Sequence, residues 1–99
     1  IPQLGLAVAK INQINKKRFA LKNNAKGVVI TSVDPEGPAA SKRVKAGQTI
    51  IAIDQTEIIV PRDIERKVKA AIKAGRSSVL ILRDSSNGPG YIAVPIRGK

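Results

Sequence analysis

Apolar positions along the chain gather in short runs separated by glycine, proline and charge. Leu4–Ile11, LGLAVAKI, reads as a first strand opened by a glycine turn, and Asn12–Lys26 is polar and basic. Within it a short helix is predicted around Lys17–Leu21, with Phe19 and Leu21 turned inward. The stretch Gly27–Asp54 has the clearest order: a β-branched strand (Val28, Val29, Ile30, Val33), a turn (Asp34, Pro35, Gly37, Pro38), and a short Ala-rich helix from Ala39. A glycine turn at Gly47 and a second apolar strand, Thr49–Asp54, complete it. Glu57–Val60 is a further short apolar stretch after a turn near Gln55 and Thr56.

Pro61–Ala74 is the strongest helix signal. Pro61 suits the first helical position, where a missing N–H costs nothing. Asp63 and Glu65 near the start and Lys73 near the end suit the macrodipole. Ile64, Val68, Ala71 and Ile72 form one apolar stripe, and Gly75 is placed to end the helix. Two strands, Ser78–Arg83 and Tyr91–Ile96, close the chain around a turn-rich hairpin loop, Asp84–Gly90. The sum is an α+β domain: a small, mainly antiparallel β-barrel or sandwich of about five to six strands capped by two to three helices.

Ninety-nine residues make one domain, 1–99, and 42% apolar residues supply one modest core. The absence of cysteine excludes a disulfide frame, and no apolar run approaches the roughly 20 residues of a membrane span. The sequence starts at Ile1 without Met and reads as a segment of a longer polypeptide. A formal charge of +11 would attract phosphate backbones, anionic lipids or acidic proteins. The cations are nevertheless spread out, with small clusters at Lys16–Arg18, Lys42–Lys45 and Arg66–Lys69, and two aromatics, Phe19 and Tyr91, cannot build stacking platforms. A solvated basic surface is the simpler reading; a nucleic-acid or anionic-surface binder is the alternative.

No catalytic constellation is visible. Without histidine no Ser-His-Asp triad can assemble, and Ser32, Ser41, Ser77, Ser78, Ser85 and Ser86 read as turn or surface hydroxyls. Asp54 and Glu57 read as turn chemistry. Scattered Asp and Glu offer no metal site, and nothing implies a cofactor. Leu4-Gly5-Leu6, just before a strand, has a different character. A glycine there lets the main chain curl so that several N–H groups face one concavity, the arrangement that a carboxylate requires.

The strand–helix–strand order of GVVITSVDPEGPAASKRVKAGQTIIAID, together with AAIKAGRSSVLIL at Ala70–Leu82 and the ending YIAVPI, resembles a PDZ domain. It is most similar to the C-terminal, second PDZ of bacterial HtrA/Deg periplasmic serine proteases, in the circularly permuted bacterial form. Arg43 stands where that family usually has Gly, Ala46 where it often has Pro, and Gln48 where Asp is typical. The resemblance implies a peptide-binding module that captures extended or C-terminal peptides by strand addition, or joins subunits and regulates proteolysis. The triad would lie in another domain. Leu4–Leu6 would hold the terminal carboxylate, and the edge Leu6, Ala7, Val8, Ala9 would pair with the peptide. Leu4, Leu6, Val8, Ile64 and Val68 would line the side-chain pocket, with Glu65 at the rim. Plain core packing is the competing reading for Ile64 and Val68 and the preferred one for Ile72, and Glu65 with Lys69 could be a mere i, i+4 surface pair. Implied partners are peptide C-termini, unfolded protein segments, and other subunits or domains of a parent protease, in a periplasmic setting. No specific nucleic acid and no membrane span are implied.

Overall fold

The computed structural model describes residues 1–97, so the last two positions of the expected 1–99 domain lie outside the described residues. The elements in chain order are β1 (Leu6–Lys10), α1 (Gln13–Arg18), β2 (Val28–Val33), α2 (Pro38–Ser41), β3 (Thr49–Ile53), β4 (Thr56–Glu57), α3 (Pro61–Lys73), β5 (Ser78–Ser85) and β6 (Gly88–Pro95). They form one antiparallel six-stranded sheet ordered β1-β2-β3-β5-β6, with β4 attached to β3. The strand and helix numbers fall within the sequence expectation. The sheet is open, with β1 and β6 at its two edges, so of the expected barrel or sandwich the closed barrel is excluded.

Local chemistry explains where the elements begin and end. The first helix starts earlier than the sequence suggested. The Asn12 side chain accepts the Asn15 N–H at 2.9 Å and caps α1 at Gln13. Ala20, in the left-handed region at φ 53°, then stops it, leaving Phe19 at its end and Phe19 and Leu21 only half-buried. In α3, Pro61 occupies the first turn and the Asp63 carboxylate accepts the N–H groups of Ile59 (2.8 Å) and Val60 (3.0 Å). These two N–H groups, and secondarily the nearby Arg66 charge, hold the Asp63 carboxyl below its ordinary pKa against slight desolvation. The last hairpin is longer than expected: Arg83 faces Gly90 and Asp84 faces Pro89, so most of the expected loop Asp84–Gly90 is paired strand. Pro89 and Pro95 are tolerated because β6 is an edge strand.

One closure recurs at all three helix ends. The N–H of the sixth residue bonds the carbonyl of the first, and the fifth bonds the second: Leu21 to Lys16 and Ala20 to Lys17; Val44 to Ala39 and Arg43 to Ala40; Arg76 to Ala71 and Gly75 to Ile72. The fifth residue must then be left-handed, and Arg43 (φ 64°) and Gly75 (φ 76°) both are. Arg43 is thus a bulky residue at a position made for glycine. Beside it, the Gln48 side-chain carbonyl accepts the Lys45 N–H at 3.1 Å, a turn bond that a shorter carboxylate could also make.

The core is one cluster between the sheet and its helices. Leu4, Val28, Ile30, Ile50, Ile53, Ile64, Val79 and Val94 are fully buried in it, and α3 lies against β1 and β5. Asp54 and Gln55, at φ 49° and 68°, make the tight turn between β3 and β4. The Asp54 carboxylate accepts two bonds from the Arg76 guanidinium (2.7 and 3.1 Å) and one from the Leu80 N–H (2.9 Å). Burial pushes the Asp54 pKa up, but these bonds and the Arg76 and Lys67 charges together bring it below its ordinary value. Asp54 is therefore a tie between a turn, the end of α3 and β5.

Two outcomes are expected. Arg43→Gly should raise stability in chemical denaturation by up to about 1 kcal/mol by removing the left-handed strain, whereas Arg43→Ala should give no such gain; a less stable glycine variant would contradict the account of this turn. Because the folded state depresses the Asp54 pKa below its ordinary 3.8, the stabilisation is fully present above that value and is lost as pH falls through the folded one. Asp54→Asn should therefore be less stable than wild type at neutral pH, with the gap narrowing below about pH 4. A gap independent of pH would count against this linkage.

Candidate functional site

The segment before β1 is a curl, not the start of the strand: β1 begins at Leu6, two residues later than the sequence pattern suggested. Gly5 sits at φ 73°, and a Cβ built there would lie 3.0 Å from the Gly37 Cα and 3.2 Å from Pro38. Two glycines are thus packed back to back, and only glycine suits position 5 on both counts. With Gly5 left-handed, the N–H groups of Leu4, Gly5 and Leu6 converge on one oxygen, the Ile1 carbonyl, at 3.2, 3.0 and 3.3 Å. Such a concavity of main-chain N–H groups is a site for negatively polarised oxygen.

The curl is fixed from outside. The Asp34 N–H donates to the Gly5 carbonyl (2.8 Å), the Ala39 N–H to the Leu4 carbonyl (3.1 Å), and the Arg97 N–H to the Gln3 carbonyl (2.6 Å). The Arg97 guanidinium donates to the Pro2 carbonyl and to Asp34, both at 3.1 Å. The Glu36 N–H, first, and then Arg97 hold the Asp34 carboxyl below its ordinary pKa, outweighing a small desolvation. Arg97, Asp34 and Ile1 were not foreseen from sequence. Arg97 and Pro2 sit at opposite ends of the chain, and no local pattern joins them.

β1 carries the edge. Its inner side pairs with β2, from Leu6 opposite Val33 to Lys10 opposite Val28, with a bulge between Ala7 and Val8. It stands last in the strand order, so among the described residues no strand pairs with its outer side. Ala7, Val8 and Ala9 are half-buried, and Val8 packs on the core cluster. Helix α3 runs beside β1 and supplies Ile64 and Val68 to the cluster that holds Leu4 and Leu6, while Glu65 and Lys69 face solvent. The expected pocket residues are therefore brought together. Ile64 and Val68, at 0% and 1% exposure, are core residues in this state, however.

Hollows open on the surface of the described residues. One of about 370 Å³ lies against the curl and includes Ile1, Gly5, Leu6, Ala7 and Arg97 in its wall. Another, about 580 Å³, is bounded by the α1–β2 connection, the turn before β3 and the end of β5, and shares no residue with the curl, β1 or α3. Neither is lined by Ile64 or Val68. Size favours the second, whose wall mixes Lys22, Lys26 and Lys45 with Asp84. The curl, where three N–H groups converge on one oxygen, is the better candidate.

A family model described as PDZ domain matches residues 2–88. Probable periplasmic serine endoproteases described as DegP-like, from Brucella suis and Rhizobium meliloti, are 34% and 33% identical over 73 residues, which make up 74% of this chain and 14% of each relative. The chain thus spans a small part of the length of those relatives. A solved structure described as an HtrA-type protease AlgW with decapeptide superposes with a TM-score of 0.76 at 21% identity, over 97% of this chain and 29% of that one. An HtrA3 PDZ domain bound to a phage-derived ligand, FGRWV, superposes with a TM-score of 0.75 at 13% identity, over 95% of this chain and 84% of that one. At those identities the structural likeness is one of fold.

The geometry of the curl has a direct consequence. Gly5→Ala should destabilise the protein by about 1–3 kcal/mol, since it strains a left-handed position and presses on the Gly37 backbone. The amide resonances of Leu4 and Leu6 should shift most; a variant with unchanged stability and resonances would refute the back-to-back packing.

Proposed function

This chain belongs to the PDZ domain family, and from that premise we propose that it captures extended or C-terminal peptides by strand addition to the outer edge of β1. The observation that carries the reading is the conjunction of an edge that, among the described residues, has no strand on its outer side with three N–H groups converging at its start. An incoming chain would pair with Leu6–Ala9 and set its terminal carboxylate on Leu4, Gly5 and Leu6. Its last side chain would be seated among Leu4, Leu6, Val8, Ile64 and Val68, with Glu65 at the rim.

The likeness to DegP-like relatives supports a parent protein that is a periplasmic serine endopeptidase with its catalytic residues outside this segment. In such a protein this module regulates proteolysis, either by presenting substrate chain ends or by taking a segment of a neighbouring subunit or domain. Binding is modest on either route. A buried terminal Leu or Val contributes roughly 1.5–3 kcal/mol and each edge hydrogen bond about 1 kcal/mol. After ordering costs the complex is near −8 kcal/mol or weaker, a micromolar dissociation constant.

A titration monitored by NMR tests this. A short peptide with an apolar C-terminal residue and a free carboxylate should shift the Leu4–Ala9 amides, and its C-terminally amidated twin should bind at least about tenfold more weakly, for loss of charge-assisted hydrogen bonds. Raising the salt should weaken the acid peptide only slightly. Equal shifts from both peptides, or a steep log–log loss with salt of the kind that phosphate binding gives, would contradict carboxylate capture.

A further inference from the structure

The curl is not vacant: Ile1 fills it. The Ile1 carbonyl accepts the Leu4, Gly5 and Leu6 N–H groups, and the Ile1 main-chain nitrogen donates back to the Leu6 carbonyl at 2.6 Å. Ile1 and Leu6 thereby exchange both main-chain bonds, the pattern of an antiparallel hydrogen-bonded pair. The Ile1 side chain, half-buried, packs on the cluster that contains Leu4, Leu6, Ile64 and Val68. A chain end arriving at β1 would need an oxygen site, a strand pair and an apolar seat. One residue of the protein itself takes all three.

The turn alone does not account for this. Leu6 to Ile1 and Gly5 to Pro2 repeat the closure seen at the three helix ends. At those ends, though, the bond from the sixth residue to the first is not returned. Here it is returned by Ile1, and two further N–H groups converge on the same oxygen. The three bonds to the Ile1 carbonyl do not involve the Ile1 nitrogen and are independent of its charge. Arg97 braces the intervening Pro2 and Gln3 carbonyls and holds the segment in place.

We infer that Ile1 is an intramolecular occupant of the chain-end site, so that the groove of the free protein is closed and a peptide enters only as Ile1 leaves. This rests on the proposed reading of the curl as a carboxylate site. It fits the burial of Ile64 and Val68 in the same cluster on which the Ile1 side chain packs. It also sharpens selection. A neutral carbonyl is a weaker acceptor than a carboxylate by about a factor of two, so a free C-terminus displaces Ile1, whereas an internal or amidated segment competes on equal terms and gains little.

The test uses the chain and its Ile1→Gly variant, titrated with one free-carboxylate apolar peptide, and follows the Ile1 methyl resonances of the wild type. If Ile1 occupies the site about nine-tenths of the time, apparent affinity is reduced about tenfold. The glycine variant keeps the main-chain bonds and loses the apolar seat, so it should bind more tightly by up to about tenfold, and in the wild type saturating peptide should move the Ile1 methyls to solvent-exposed values. Ile1 methyls unmoved at saturation, or equal affinity for the two proteins, would overturn the inference while leaving peptide capture intact. No binding by either protein would remove the peptide reading itself and this inference with it.

Discussion

Three backbone N–H groups can point at one oxygen only where the chain that bears them curls, and in Leu4–Leu6 the curl depends on Gly5 lying in the left-handed region with Gly37 directly behind it. Much of the molecule serves that contact. β2 and the turn after it deliver the Asp34 N–H to the Gly5 carbonyl, and α2 delivers the Ala39 N–H to the Leu4 carbonyl. Gly37 and Pro38 sit where a larger or less rigid pair would press on position 5 or loosen the start of α2. The stretch 27–54, which dominates the sequence pattern, is thus chiefly the frame of the site, and through Ser32, Val33 and Asp34 it also forms part of the wall beside the curl.

Strands and helices were legible where periodicity was strong and local. The stripe Ile64, Val68, Ala71 places α3 within a residue of its observed end, and the β-branched run at Val28 places β2. The misplaced boundaries lie where a single side-chain cap or the register of a strand pair decides them. Asn12 capping Asn15 moves α1 toward the N-terminus, and pairing of Arg83 with Gly90 and Asp84 with Pro89 turns an apparent loop into strand. The open sheet could not be read from strand number, because closure depends on whether β1 and β6 meet, which no local pattern records. Leu4, Gly5 and Leu6 were legible from the motif as a curl, and Ile64 and Val68 from the stripe as the buried face of α3. Ile1 and Arg97 were not, since their roles rest on main-chain bonds and on contacts between the two ends of the sequence.

The short basic clusters behind the +11 charge lie on different elements, while Lys22, Lys26 and Lys45 share the wall of the larger hollow. Lys16–Arg18 lies on α1, Lys42–Lys45 follows α2, and Arg66–Lys69 lies on α3, three separate elements. One of the two aromatic faces is already covered, with the Arg18 guanidinium 5.0 Å from the centre of the Phe19 ring. Tyr91 is exposed on the opposite edge strand, β6. A surface of that kind draws anions at long range and fades with salt, which suits the approach of a chain end to a donor-lined curl better than stacking on bases.

The central claim is that the outer edge of β1 receives another chain as a strand. Interproton contacts across the interface of the chain with a saturating free-carboxylate peptide test it most directly. The account requires antiparallel cross-strand contacts between the last residues of the peptide and Leu6–Ala9, with the terminal residue nearest Leu4 and Gly5. Contacts confined to the hollow around Phe19 and Ile51, or to the β6 edge, would contradict it.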